Sequence, residues 1–298
     1  MTKHCLIATA KKYKNIFQTF TEELGIILLL AEGESIFFTS KYIYNGLHEW
    51  AWLVIIVCLI IAMGTNWEKL EYHSFLADTD EKIEIHVMNI LDADAAIVIP
   101  TNTTFDTKME GEFISIGSVQ GQFQEKYFKN NLEELDRLLE EGLKNYIYEE
   151  IDKTNGKNHR YPLGTVSKVT YVGKHFYFVA IANINEYGKP INPKSENIQM
   201  ALQGVWKCLE NKGHIENLAI PIIGTGKAGI KNISRNFVIK EIVSSFVESA
   251  SKRKIADNLL ICVHPRDLAH KDLNLQDISE YLKFMCKYRC INKAGIRD

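Results

Sequence analysis

The chain has 298 residues, a formal net charge of −2, 46% hydrophobic residues and 24% charged ones. That is room for one domain of ordinary size plus an N-terminal segment, and near-neutral, interspersed charge argues against a broad cationic face for nucleic acid. The six cysteines, at 5, 58, 208, 262, 286 and 290, contain no CxxC pair and read as reduced and structural, without a metal site.

The first seventy residues differ in character from the rest. Leu24 to Ala31 (LGIILLLA) is apolar but closely flanked by Glu22, Glu23, Glu32 and Glu34, charges that are costly in hydrocarbon. From Trp50 to Met63 every residue is apolar, and the uncharged stretch runs on to Trp67, which is the length and aromatic bracketing of a spanning helix. A buried core helix is the competing reading. The expectation is an N-terminal transmembrane helical hairpin, with hydrophobic segments at about 16–38 and 47–67 inside a membrane region 1–75. Lys3, Lys11, Lys12 and Lys14 precede it, so the positive-inside tendency puts both the N-terminus and the domain 76–298 in the cytoplasm. The acids interrupting the first apolar run argue against a cleaved signal peptide.

From about Glu81 strand-like and helix-like stretches alternate. Ile83–Ile90 alternates apolar with polar residues and Ala95–Pro100 (AAIVIP) is a short buried-type strand. Leu132–Ile147 has a helical period with Leu135, Leu138, Leu139 and Tyr146 on one face. Val166–Val172 and His175–Ala182 are β-rich and joined at Gly173-Lys174, a hairpin that makes the sheet mixed. Ser195 can cap a helix ending near Gly213, the strand Leu218–Ile223 follows, and Ser234 can cap a helix over Phe237–Ala250 with Phe237 on its buried side. Leu259–Val263 and Asp277–Tyr288 complete an α/β fold with helices on both faces of the sheet. Lys153–Arg160 (KTNGKNHR) reads as an exposed loop, and Glu149 and Glu150 as a solvated acidic face.

The tract PIIGTGKAGI, Pro221–Ile230, carries the most chemical information. An apolar strand runs straight into glycines at 224, 226 and 229, and such a loop can present bare backbone N–H groups to a phosphate; an ordinary turn is the alternative. Three other pieces point to the same ligand class. Asn102 lies just past the end of AAIVIP, where an amide can bond a ribose hydroxyl; SIGSVQGQF (Ser115–Phe123) is a second glycine-bearing loop; and YPLGTV (Tyr161–Val166) is a turn before a strand.

In this order the IVIPTN strand end, glycine loop, PxG turn and PIIGTGKAGI resemble a macro domain, the ADP-ribose-binding module, over residues 81–290. With the hydrophobic N-terminus, the chain is more narrowly similar to the transmembrane-macro effectors (ThsA) of type II Thoeris anti-phage systems. The resemblance implies a three-layer α/β/α domain with a mixed sheet. It places Asn89 and Ile90 at the adenine end, Asn102 near the distal ribose, and Gly121 in the loop over that ribose and the diphosphate. Gly224, Thr225, Gly226, Ala228 and Gly229 would wrap the diphosphate, whose oxygens only accept hydrogen bonds. Gln120, Gln122 and Phe123 are candidates for reading the group on the distal ribose, with Phe123 equally suited to anchoring its loop in the core.

Departures from the family pattern bear on catalysis. Asn89 stands where many members carry an aspartate, and GSVQGQF replaces a glycine triplet common in family hydrolases with no acidic pair after it. His264 reads as a packed or solvent-facing histidine and Asp106 as a turn former. The expectation is therefore a receptor without a catalytic residue, metal or cofactor, whose ligand is an ADP-ribose derivative. The resemblance further implies a signal made from NAD by a TIR-domain protein, with histidine-ADP-ribose the expected form. It also implies a homo-oligomer at the bacterial inner membrane that disrupts the lipid and aborts infection. A membrane-tethered ADP-ribosyl hydrolase and an interaction module with an empty pocket are the alternatives.

Overall fold

The computed structural model describes residues 13–37, 42–67, 69–109, 114–153, 155–185, 187–212, 214–226, 230 and 233–288. The chain divides into two compact units, Met1–Leu70 and Glu71–Asp298.

Among the described residues the first unit holds a pair of helices, α1 (Tyr13–Phe37) and α2 (Tyr42–Thr65). The residues that their packing buries are small, Ala31, Cys58 and Ala62, and Asn66 Nδ2 ties the end of α2 to Thr19 Oγ1 at 3.2 Å. Two helices cannot bury an apolar surface that runs all round one of them, so the large side chains of α2 stay exposed, Trp52 at 60% and Ile60 at 63%. The expected transmembrane hairpin is not found: among the described residues no helix is long and apolar enough to cross a membrane. The backbone leaves the helical region at Trp50 (φ −113°, ψ 19°). The unbroken helix beyond it rises only about 22 Å at roughly 1.5 Å per residue, against about 30 Å of hydrocarbon.

The second unit is built on a seven-stranded sheet in the order β1-β2-β9-β8-β3-β7-β6. Its strands are β1 (Glu71–Phe75), β2 (Lys82–Val87), β3 (Ala96–Asn102), β6 (Val166–Tyr171), β7 (Lys174–Ala182), β8 (Leu218–Pro221) and β9 (Asn258–Val263); β4 (Glu149–Glu150) and β5 (His159–Arg160) pair separately. The five central strands run parallel and the two edges, β1 on β2 and β6 on β7, are antiparallel. The mixed sheet and the 173–174 hairpin are therefore as the sequence predicts, whereas β1 lies ahead of the expected start of the alternation.

Both faces of the sheet are covered, as a mostly parallel sheet requires. On one face Ile97, Ile99, Phe176, Phe178 and Cys262 join a cluster with α3 (Val119–Tyr127) and α4 (Leu132–Leu143). The alternate residues Val98, Tyr177 and Ile261 are equally buried and face the layer of α5 (Glu196–Lys212), α6 (Arg235–Ala250) and α7 (Leu275–Tyr288). α4 ends at Leu143, short of the predicted Ile147, which is 88% exposed. Ser234 caps α6 as expected, accepting from the Phe237 N–H at 3.1 Å, but Phe237 itself is exposed. The predicted exposed loop over Lys153–Arg160 is also corrected, since β5 forms there and Lys153 is buried.

One carboxylate is costly in this fold. Glu81, in the β1–β2 connection, is 2% exposed, and among the described residues neither of its oxygens has a hydrogen-bond partner. Burial pushes its pKa up, against the opposing pull of Lys254. A carboxyl whose folded pKa is raised contributes stability fully present below the unfolded value of about 4.3 and lost as pH rises through the folded pKa. Glu81→Gln, which needs no charge in that place, is expected to unfold at a higher denaturant concentration than the parent at pH 7. The two midpoints should converge near pH 4.

Candidate functional site

The C-terminal ends of β3, β7, β8 and β9 open into a cleft of about 610 Å³, within the roughly 300–1,000 Å³ of small-molecule sites and at the position where α/β sheets bind ligands. Each wall follows from a local feature of sequence.

The first wall is the turn after β3. The ladder to β7 shifts register between Thr101 and Asn102, and such a bulge re-aims the side chain beyond it. Asn102 thus lines the cleft. Its Oδ1 accepts from the Thr104 N–H at 3.0 Å and the Asp106 N–H at 3.2 Å, with the Thr104 hydroxyl oxygen 2.9 Å away. With the oxygen saturated, the Nδ2 amino group is the end left to meet a ligand; among the described residues it donates to nothing. Phe105 closes the turn with φ 51°, a left-handed conformation rare for a bulky residue, held by complete burial and an edge contact with Tyr161 at 5.5 Å between ring centroids. Tyr161 of the YPLG turn donates its N–H to the Thr103 carbonyl at 2.8 Å, joining two of the sequence motifs in one backbone contact.

The second wall is the start of α3. Ser118 is its N-cap, accepting from the Gly121 N–H at 3.0 Å and donating to the Ser115 carbonyl at 2.6 Å. Gln120 is buried and lines the cleft while its Nε2 donates to the Asp106 carbonyl at 2.8 Å. Gln122, weighed as a reader of the distal group, also lines the cleft and accepts from Asn89 Nδ2 at 3.3 Å. Asn89 Oδ1 in turn accepts from the Leu91 N–H at 3.1 Å, capping a short 3-10 helix at Ile90–Asp92. The carboxamide at the predicted adenine end is thus fixed by protein contacts on both its atoms, and it lines the cleft with Ile90.

Two of the predicted site residues in this segment do not line the cleft. Phe123 is 0% exposed, with its ring 4.7 Å from Phe176 and 5.3 Å from Phe178, centroid to centroid; it is the anchor of α3 in the core. Gly121 is a packing glycine, because a Cβ there would overlap the Ser115 carbonyl. The sequence pattern that suggested a ligand loop is therefore a helix start held close to the chain before it.

The third wall is the glycine loop. Gly224, Thr225 and Gly226 line the cleft, and Ala228 and Gly229, expected to complete the wrap, lie outside the described residues. Gly224 has φ 81°, which glycine alone adopts without strain. Among the described residues, no carbonyl or side chain accepts from the N–H groups of 224, 225 or 226. A run of backbone N–H groups in a concave site is an arrangement that binds anions.

Sequence reasoning missed three cations of the lining, Arg235, Lys189 and Arg266. Arg235 sits at the first turn of α6, where its guanidinium donates to Asp267 at 2.9 Å and to Asp272 at 3.1 Å. Burial would raise the pKa of Asp272, but the Arg235 N–H and positive charge outweigh it and hold the carboxyl below its usual value. Lys189 and Arg266 also line the cleft; lone cations in polar loops carried no signal in the sequence. His264 Nδ1 accepts from the Arg266 N–H at 3.2 Å, capping the 3-10 helix Pro265–Ala269. The Cys262 thiol at the floor is pushed up to about 12 by burial, so it is uncharged and a poor nucleophile.

The cleft combines N–H groups, cations and carboxamides in one concavity, and comparison with known proteins identifies the fold that holds it. The sequence profile of the family described as Thoeris protein ThsA, Macro domain, matches residues 83–264. The Thoeris protein ThsA of Bacillus amyloliquefaciens (strain Y2) is 24% identical over 191 residues, 62% of this chain and 62% of that relative, so the chain spans under two thirds of its length. Among solved structures, a mutant macrodomain of Oceanobacillus iheyensis superposes with a TM-score of 0.50 at 14% identity, over 76% of this chain and 100% of that one. The macrodomain of the same organism with ADP gives 0.48 at 13% identity, over 76% and 100%. The mixed sheet, the strand-end cleft and the profile match over more than half the sequence make one conclusion: this chain belongs to the Thoeris ThsA macro-domain family.

Proposed function

We propose that the chain is a receptor for an ADP-ribose-containing nucleotide in Thoeris anti-phage defence. The observation that carries this reading is the row of N–H groups at 224–226, which among the described residues donate to nothing, in a cleft that the Asn102 amide also lines. In the bound state the diphosphate lies along those amides, the adenine end is read by Asn89 and Ile90, and the distal ribose meets Asn102, Gln120 and Gln122. Binding without turnover is the preferred form, because Asp267 is the one carboxylate lining the cleft among the described residues and it is held by Arg235.

A TIR-domain protein makes the signal from NAD, as an ADP-ribose conjugate such as histidine-ADP-ribose. Copies of this chain then reorganise, and the N-terminal unit acts on the inner membrane and disrupts it. Support for that end of the chain is the series of exposed large apolar side chains on α2, Trp52, Ile56 and Ile60 among them, since contiguous exposed apolar surface marks protein or membrane interaction sites. The ligand works as a switch only through a higher affinity for the disruptive arrangement than for the resting one.

Titration calorimetry of the full chain with ADP-ribose, ADP and histidine-ADP-ribose tests the receptor. The conjugate is expected to bind tightest and Asn102→Ala to weaken ADP-ribose but not ADP. Absence of heat with all three overturns the reading, and release of free ADP-ribose from the conjugate at a steady rate replaces it with a hydrolase. Dye leakage from anionic vesicles on adding conjugate to the full chain tests the membrane step.

A further inference from the structure

The ligand-facing turn is braced from an unexpected direction. Lys153 lies in the connection between β4 and β5, in a polar stretch whose composition gives no reason for burial. Yet its ammonium is 2.7 Å from Asp106 Oδ2, and both side chains are 1% exposed. The same ammonium donates to Thr104 Oγ1 at 3.3 Å. Thr104 in turn lies between the Asp106 carboxylate, in a very short contact, and Asn102 Oδ1 at 2.9 Å. The other Asp106 oxygen accepts from the Lys157 N–H at 2.7 Å. Gly156 makes this approach feasible: its φ is 81°, and a Cβ there would overlap the Asp106 carboxylate. Two charges removed from water hold together only with good geometry and further hydrogen bonds, and each of these is present.

We propose that Lys153 is a positioning residue for the ligand-binding cleft. Through Thr104 and Asp106 it fixes the carboxamide of Asn102 with the oxygen turned inward and the amino group turned to the ligand. Neither Lys153 nor Asp106 lines the cleft, so the effect is indirect. The carboxamide could otherwise rotate and present its oxygen, an acceptor, where a ribose hydroxyl oxygen or a phosphate requires a donor. The inference rests on the receptor reading for its ligand and on the hydrogen-bond geometry for its mechanism.

The test is a double-mutant cycle on the full chain with ADP-ribose as probe, alongside crystal structures of the variants. Lys153→Met is expected to weaken ADP-ribose about tenfold in the parent and to have no further effect in Asn102→Ala, because residues acting through one contact are not additive. An equal loss in both backgrounds overturns the proposal. The neutral pair Asp106→Asn with Lys153→Met removes the unpaired buried charge, so its melting temperature should recover while its affinity for ADP-ribose stays low. Recovery of both together means that the ion pair serves stability alone, and overturns the proposal. In the Lys153→Met crystal structure the Asn102 carboxamide is expected to be turned from its parental orientation; an unchanged orientation also overturns it. Should the parent bind no ADP-ribose, the receptor reading fails while this crystallographic arm still decides the positioning role.

Discussion

Gly226→Val is expected to lower affinity for ADP-ribose by roughly a hundredfold, about 2.8 kcal/mol at about 1.4 kcal/mol per factor of ten, with little change in melting temperature. A Cβ at Gly226 meets no described atom within 4 Å and the residue's φ is not in the left-handed region, so the fold accepts a side chain there. The loop's use as an anion cradle does not, because a branched side chain over its N–H groups keeps a phosphate at a distance where hydrogen bonds cannot form. Gly224→Ala provides the contrast. Its left-handed backbone and the nearby Ile198 side chain make that substitution a strain on the fold itself. Calorimetry and thermal melting on both variants separate the two effects. Parental affinity in a folded Gly226→Val protein would remove the loop from the binding site.

Phe123→Ala is expected to cost about 3–5 kcal/mol of stability, the range for emptying a buried aromatic position, read as a lower midpoint in urea. The ring packs on Phe128, Phe176 and Phe178, so little can collapse into the space left behind. The loss should extend to binding, since α3 hangs on this ring while its first residues form a cleft wall. Phe123→Leu, which keeps much of the volume, should retain most of both. Were Phe123→Ala to weaken binding at unchanged stability, the ring would be reading the ligand, as its place in the sequence had equally suggested.

The parts of the fold legible in the sequence are those whose residues state their surroundings on their own. β3 and β7 are mostly apolar runs because both faces are covered, and Ser234 caps a helix through a side chain that needs only the next three residues; the Ser118 cap is not among them, since its glycines make the segment read as a loop. β1 was illegible because EYHSF is half exposed along its length and carries no period strong enough to mark a strand. Phe123 was ambiguous for a different reason: a phenylalanine suits a lid and a core equally, and the choice depends on Phe176 and Phe178, more than fifty residues away. Lys153 was misread for the same cause, with its partner Asp106 47 residues distant and Gly156 its one local cue. The apolar N-terminal run invited a spanning helix because hydropathy adds up residues and does not register a break at Trp50. At the cleft, Asn102 and the 224–226 loop followed from strand ends and glycines, while Arg235, Lys189 and Arg266 depend on which loops the topology brings together.

The left-handed Phe105 has a kinetic consequence. A side chain sealed in the interior at the apex of a tight corner leaves no gradual way out, because any loosening of the corner must first extract the ring. Segment 102–106 should accordingly behave as a latch with two settings. Its amides are expected to exchange with deuterium together, in rare concerted openings as slow as those of the neighbouring strands, in place of the independent fraying usual for a surface connection.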